Sequence, residues 1–350
     1  MTVRLLIGDC RERLREIEAG SVHCCVTSPP YFGLRDYGVD GQIGLEESPE
    51  EFVLELVSVF REVRRALRDD GTLWLNLGDS YAGGGNGGGG SFAIDGIRGA
   101  RMGVDKNKAL RKNARRAIGA IKPKDLIGAP WMVAFALRAD GWYLRQEIIW
   151  HKPNPMPESV RDRCTKAHEQ IFLLSKSPIY HYDADAIKER ASLDTHPRGP
   201  GNKRHKMTEA REAGDARHQT KAGLLKYSRK LAAAASGTKN NESFDQAMSV
   251  MPEKRNKRSV WTVGSEPYSG AHFATFPPAL IEPCILAGCP AGGTVLDPFG
   301  GAGTTGLVAD RLGRHAILCE LNPEYVAMAE RRIRADAPML ARLEVAEAAQ

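Results

Sequence analysis

The sequence contains no apolar run long enough to cross a bilayer, so no membrane-spanning helix is expected. Its start, Met1-Thr2-Val3-Arg4-Leu5-Leu6-Ile7-Gly8-Asp9, reaches an acidic residue too soon for a signal peptide, and the expected location is cytoplasmic. No CxxC pair occurs. Cys284 and Cys289 are five positions apart without a matching second pair, so no metal site is expected. The odd count of seven cysteines (10, 24, 25, 164, 284, 289 and 319) argues for reduced thiols rather than a disulfide framework. No internal repeat is visible.

What is present suits a large folded domain with an insertion. The 350 residues are 42% hydrophobic and 26% charged, enough for a sizeable core in a water-exposed protein. The net charge of +6 is a mild sign of a polyanionic partner. Its distribution says more: between Lys188 and Arg258 stand 17 basic and 8 acidic residues, a local excess suited to nucleic acid.

Apolar runs alternate with helical patterns along the chain. Val3–Ile7 and Val22–Val26 read as strands, with a helix over Cys10–Glu18 closed by Gly20. A second helix starts at Pro49, with Ser48 as N-cap and Glu51 completing a capping box; Phe52, Leu54, Leu56, Val57 and Phe60 form its apolar face. Gly71 ends that helix and Thr72–Leu77 is a strand. Asp125–Asp140 reads as a helix stopped by Gly141. Trp142–Trp150 and Gln170–Leu174 read as strands, and Pro277–Ala287 as a helix. The chain then gives a strand Gly293–Leu296, a helix to Leu312, a strand Ala316–Cys319 and a helix Pro323–Arg334. This βαβ alternation implies an α/β fold with a mostly parallel sheet covered on both faces. Residues 1–187 and 259–336 are read as two parts of one domain. The glycine- and arginine-rich stretch 83–118 is either a disordered linker or a flap that orders on DNA. Residues 188–258 are a basic insertion of low core-forming capacity, and 337–350 a C-terminal tail.

Two segments carry chemistry. Asp297-Pro298-Phe299-Gly300-Gly301-Ala302-Gly303-Thr304-Thr305 follows an apolar strand and opens a helix, the setting of a nucleotide-type site. Glu320 ends the next strand, where a carboxylate can accept hydrogen bonds from ribose hydroxyls. Thr304 stands where a Walker loop needs lysine, and GxGxxG fits poorly, so neither ATP nor NAD is favoured. The other segment, Thr27-Ser28-Pro29-Pro30-Tyr31, ends an apolar strand. Its prolines fix the backbone and carry no N–H, and Tyr31 offers a flat face for a base.

Taken together, Ser28-Pro29-Pro30-Tyr31 near one end, Asp297–Thr305 near the other, Gly8-Asp9-Cys10 after the first strand, and His272-Phe273-Ala274-Thr275-Phe276-Pro277 before the cofactor strand resemble one family. It is that of the β-class amino-group DNA methyltransferases, and the resemblance spans the chain except about 188–258. It implies a doubly wound, circularly permuted, seven-stranded Rossmann-like sheet and S-adenosyl-L-methionine as cofactor. It implies cofactor contacts from Asp9, Cys10, Phe276, Asp297, Pro298, Phe299, Gly301, Gly303, Thr304, Thr305, Glu320 and Asn322. Ser28, Pro29, Pro30 and Tyr31 are then catalytic, with Ser28 Oγ and the Pro29 carbonyl accepting the amino hydrogens of a flipped base. Double-stranded DNA is the implied partner, and the insertion the region that recognises its target. The resemblance allows for a separate cognate restriction endonuclease and leaves the oligomeric state open.

Serine at the first motif position, preceded by threonine, points to N4 of cytosine; N6 of adenine is the alternative within the family. Cytosine C5 chemistry needs a Pro-Cys-Gln nucleophile, and Pro283-Cys284 is followed by Ile285. An RNA or protein methyltransferase and a non-enzymatic DNA-binding protein are the remaining rivals.

Overall fold

The computed structural model describes residues 1–82, 121–191, 254–266, 275–336 and 342–346. The glycine-rich stretch 83–118, most of the insertion and His272–Ala274 lie outside the described residues, as do 337–341 and 347–350. The chain divides into a unit of residues 1–187 with 258–350, and a unit of 188–257. Within the second, β6 (Glu189–Arg190) and β7 (Lys254–Arg255) pair antiparallel, and Arg255 Nε meets Glu189 at 2.8 Å.

The first unit is built on a nine-stranded sheet. Its strands are β1 (Thr2–Ile7), β2 (Val22–Thr27), β3 (Leu67–Leu77), β4 (Tyr143–His151), β5 (His168–Ser175), β8 (Val260–Thr262), β9 (Thr294–Asp297), β10 (His315–Glu320) and β11 (Arg342–Ala346). Their order is β11-β1-β10-β9-β2-β3-β5-β4-β8. All neighbours are parallel except β5, which runs against both β3 and β4. Seven strands are thus too few. The short edge strands β8 and β11 extend the sheet at its ends, and β11 lies in the segment read as a tail. It covers the outer edge of β1, whose ladder groups otherwise face solvent.

The side-chain period of two divides the apolar residues between two cores. Leu6, Cys25, Leu73, Leu75 and Phe172 point to one, with α1 (Cys10–Arg13), α2 (Pro49–Ala66) and α3 (Ala129–Ala139). Leu5, Cys24, Val26, Trp74 and Leu173 point to the other, with α4 (Pro278–Gly288), α5 (Thr304–Arg311) and α6 (Pro323–Asp336). All seven cysteines are free; six are buried and Cys164, on the β4–β5 connection, is exposed.

Several boundaries differ from the sequence reading for local reasons. The first helix stops at Arg13 and continues as a 3₁₀ turn, Leu14–Glu16. Ser48 caps α2 by accepting from the Glu51 N–H at 3.2 Å, but the Glu51 carboxylate turns to the Glu47 N–H instead of closing the box on Ser48. Leu67 is already extended, so β3 begins before Gly71, and residues 68–71 form an irregularity between Val22↔Leu67 and Cys24↔Thr72. The third helix starts at Ala129, because Gly128 turns left-handed (φ 79°) and the Asp79 carboxylate caps the Gly128 and Ala129 N–H groups. Leu54 lies outside the buried face of α2 at 68% exposed, while Phe52, Leu56, Val57 and Phe60 are buried.

That contrast is measurable. Truncating Phe60 to alanine should cost about 3–5 kcal/mol of unfolding free energy. Leu54→Ala should stay within about 0.5 kcal/mol. Urea titrations of the two variants check both; equal losses would contradict the assigned face.

Candidate active site

The carboxyl ends of β1, β10, β9 and β2 lie side by side. From β9 the chain passes through α5 to β10 on one side. From β2 it passes through α2 to β3 on the other. Where neighbouring strands send their chains in opposite directions, an open α/β sheet leaves a crevice for a ligand. β2 and β9 pair only through Cys24↔Val295 and Cys25↔Leu296, so they part before their ends.

Asp297 joins them. Its carboxylate, 1% exposed, accepts the Thr27 hydroxyl at 2.6 Å, the Thr305 hydroxyl at 2.6 Å and the Phe299 N–H at 3.0 Å. Burial pushes its pKa up, against the lowering effect of those donors. One side chain therefore connects β2, the glycine turn and the first residues of α5. Glu320 fixes the turn from the opposite strand: its oxygens accept the Gly301 N–H and the Asn322 N–H, both at 2.8 Å, and burial raises its pKa as well.

The glycines of the turn have different jobs. A Cβ on Gly300 meets Leu318 Cβ at 3.0 Å, and one on Gly303 meets Ala329 Cβ at 2.7 Å, so these two let the turn pack on β10 and α6. Gly301, at φ 49°, has only a backbone oxygen at 4.0 Å and faces open space. The crevice opens into a cavity lined by Asp9, Cys10, Ser28, Pro30, Phe276, Pro298, Phe299, Gly301, Thr304, Glu320 and Asn322. Asp297, Gly303 and Thr305 do not line it; Asp297 and Thr305 are fully buried partners of each other. Asp9 is held by Arg11, whose guanidinium also donates to Gly41 O at 2.9 Å; burial raises the Asp9 pKa, but the Arg11 bonds bring it below its usual value. Burial pushes the Cys10 thiol up to about 12.

Part of the wall comes from residues that the sequence pattern did not single out. Tyr37, Val39, Gln42 and Ile43 line the cavity from the β2–α2 connection, and Tyr325 and Met328 from α6. Tyr37 and Tyr325 meet edge to face at 6.5 Å. Gln42 shapes the loop by accepting the Tyr37 N–H at 2.7 Å and donating to Arg35 O at 3.1 Å. Gly38, Gly41 and Gly44, all with positive φ, mark this stretch as turns, but turn signals do not say which way a tyrosine points.

Beyond Ser28 the motif enters a polar pocket at the ends of β3 and β5. The Tyr31 ring lies against Gly78, where a Cβ would come within 2.4 Å of Cε2, so the face on that side is covered. Tyr31 O–H donates to Glu169 at 2.7 Å. Asn76 Nδ2 donates to Tyr31 Oη at 2.8 Å, to Glu169 at 3.1 Å and to Ser28 Oγ at 3.3 Å. Lys152 pairs closely with the other Glu169 oxygen. Burial, and then the Glu169 charge, push the Tyr31 hydroxyl well above its ordinary pKa, so it keeps its proton. Asn76, Glu169 and Lys152 were also missed from sequence.

A family model described as DNA methylase matches residues 22–331. The chain is 44% identical over 331 residues to the Type II methyltransferase M.SmaI of Serratia marcescens, covering 94% of this chain and 90% of that one. It is 42% identical over 333 residues to M.Cfr9I of Citrobacter freundii, covering 95% and 88%. Among solved structures, the TTHA0409 protein of Thermus thermophilus, complexed with S-adenosyl-L-methionine, aligns at a TM-score of 0.54 and 24% identity, covering 98% and 99%. The cytosine-N4-specific PvuII DNA methyltransferase aligns at 0.55 and 18%, covering 98% and 96%.

The Thr27–Asp297 bond can be removed without changing side-chain shape. Thr27→Val should lower the unfolding free energy by about 1–3 kcal/mol by withdrawing a donor from a buried carboxylate. Chemical denaturation at neutral pH checks it; an unchanged midpoint would show that the link contributes nothing.

Proposed function

Since the chain belongs to the DNA methylase family whose model spans residues 22–331, we propose that it transfers a methyl group from S-adenosylmethionine to N4 of cytosine at a specific site in duplex DNA. The observation that carries this reading is the meeting of two segments 270 positions apart, Thr27 and Asp297, at one crevice. One supplies a ligand-facing turn, the other an amine-accepting edge.

The residues of the cavity suit the cofactor. Gly301 leaves room where a side chain would intrude. Each Glu320 oxygen takes one backbone N–H and keeps a lone pair for a vicinal diol. Tyr37, Ile43, Phe276 and Tyr325 offer apolar surface for a purine, with Asp9 and Cys10 at its margin. When bound, S-adenosylmethionine supplies an electrophilic methyl group on a sulfonium sulfur.

The protein's own part is orientation. An exocyclic amino nitrogen is a weak nucleophile because its lone pair is delocalised into the ring. Ser28 Oγ and the Pro29 carbonyl accept its two N–H groups and draw the nitrogen toward tetrahedral geometry. Holding it in line with the methyl group is the main catalytic contribution. The amine is paired inside a duplex, so the base is flipped into the pocket. The unit of residues 188–257, with its basic excess, is proposed to recognise the target, first through phosphates and then through base edges. A separate cognate restriction endonuclease is part of this proposal.

Ser28 after Thr27 supports cytosine, and the same fold carries cytosine-N4 methylation in the PvuII enzyme. N6 of adenine is the second reading, because the acceptor pair suits any exocyclic amine. Expression in a host free of DNA methylation, followed by nucleoside analysis, should yield N4-methylcytosine. N6-methyladenine alone would transfer the reading to adenine, and neither base, with folded protein present, would remove both. Ser28→Ala should lower turnover by about a hundred-fold or more. Cofactor affinity, read by calorimetry, should stay unchanged; retained turnover would strip Ser28 of its role.

A further inference from the structure

We propose that Glu169 is a positioning residue that sets the direction of hydrogen bonding in the target-base pocket, so that Ser28 presents an acceptor to an amino group and rejects a carbonyl. The inference rests on the methylase reading and deepens it by naming what selects an amino base over its oxo counterpart.

An ionised carboxylate can only accept. Glu169 therefore takes the Tyr31 O–H, at 2.7 Å, and leaves the phenol oxygen with lone pairs alone for its other neighbours. Those neighbours are Asn76 Nδ2 at 2.8 Å and the Ser28 hydroxyl at 3.4 Å. The same carboxylate fixes the Asn76 amide. With Nδ2 at 3.1 Å from Glu169 Oε2, a flipped amide would set oxygen against oxygen. The Ser28 hydrogen is thus turned toward Tyr31. One Ser28 lone pair faces Asn76 at 3.3 Å, and another remains for a ligand.

The two positions after Ser28 are prolines, which have no N–H, so no backbone donor at 29 or 30 offsets this arrangement. The edge from Ser28 to Pro30 is acceptor-rich. An exocyclic amine brings two donors to it. A carbonyl brings only lone pairs, and a site built for one hydrogen-bonding pattern rejects the other strongly.

Lys152 makes the direction testable. It donates to Glu169 Oε1, lies 4.2 Å over the Trp150 ring, and supplies the counter-charge. In Glu169→Gln the lysine, a pure donor, keeps the amide oxygen on its own side, which turns the amide N–H₂ toward Tyr31. Tyr31 must then accept, its O–H swings to Ser28 Oγ, and the Ser28 lone pair is consumed. The conservative change reverses the chain of bonds while conserving volume.

The experiment uses full-length protein with native sequence, Glu169→Gln, Tyr31→Phe and the double variant. At saturating DNA and cofactor, Glu169→Gln should slow single-turnover methyl transfer by about ten- to a hundred-fold, as expected for one misdirected charged hydrogen bond. KM for DNA and cofactor affinity should change little. The double variant should be no slower than the slower single one, because both cut the same link. With an abasic position opposite the target, so that neither base is paired, native protein should bind a duplex with the amino base more tightly than one with its deaminated base, and Glu169→Gln should lose most of that preference. Native rates and preference in Glu169→Gln, or fully additive losses, would overturn the proposal. The ¹³Cζ resonance of Tyr31 in ring-labelled protein gives a readout independent of turnover. It should shift in Glu169→Gln, and a fixed resonance counts against Glu169 even if no methyl is transferred. Absence of transfer by the native protein, with the shift present, counts against the methylase reading alone.

Discussion

The site depends on one buried carboxylate. Asp297 has no solvent to share its charge, so its stability requires donors, and they come from Thr27, Thr305 and the Phe299 backbone. Because β2 and β9 are paired over only two residues, this cluster sets how far their ends diverge. It fixes the width of the crevice, the start of α5 and the position of Ser28, one residue beyond Thr27. Asp297 does its work without lining the cavity, which separates the residue that builds the site from those that touch what enters it.

The sheet supplies two environments along one edge. On the β1-β10-β9-β2 side every strand is parallel, and the ends at the crevice are carboxyl ends, with glycine following β1 at Gly8 and β9 at Gly300, Gly301 and Gly303. On the β3-β5-β4 side the reversed β5 brings its first residues, His168 and Glu169, to that same edge. A parallel strand would have delivered its last residues there. The antiparallel strand thus puts a charged pair within reach of Tyr31 and lets the base pocket differ in polarity from the cofactor cavity beside it.

The α/β class, the two motif segments and the Glu320 strand end were legible in the sequence because each is local: a strand, a turn signal, then a helix. Glu320 was found by its spacing from the turn. Asn76, Lys152 and Glu169 were not legible, because they become neighbours of Tyr31 only when β3, β4 and β5 pair in register, over separations of 45 and 138 positions for the two that bond its hydroxyl. Tyr37 and Tyr325 were missed for the same reason. Leu54 misled because it is apolar yet two positions from both Phe52 and Leu56, which puts it on the side of α2 away from the buried residues. The helix expected from Asp125 was overruled by a left-handed Gly128 and a cap from Asp79, a residue 49 positions away. Gly300 and Gly303 pack closely on Leu318 and Ala329, contacts that a turn motif by itself does not reveal.

The distribution of thiols has a practical side. Six of the seven cysteines are shut inside the two cores or against the cavity wall, and burial raises the thiols of Cys10, Cys24, Cys25, Cys289 and Cys319 far from reactive thiolate. Cys164 stands alone in water on the β4–β5 connection, two residues before Lys166, whose ammonium is tied to the carbonyl of Asp79. A maleimide dye added to the native chain therefore has one place to go. It attaches on the β4–β5 connection, with no cysteine removed and none introduced.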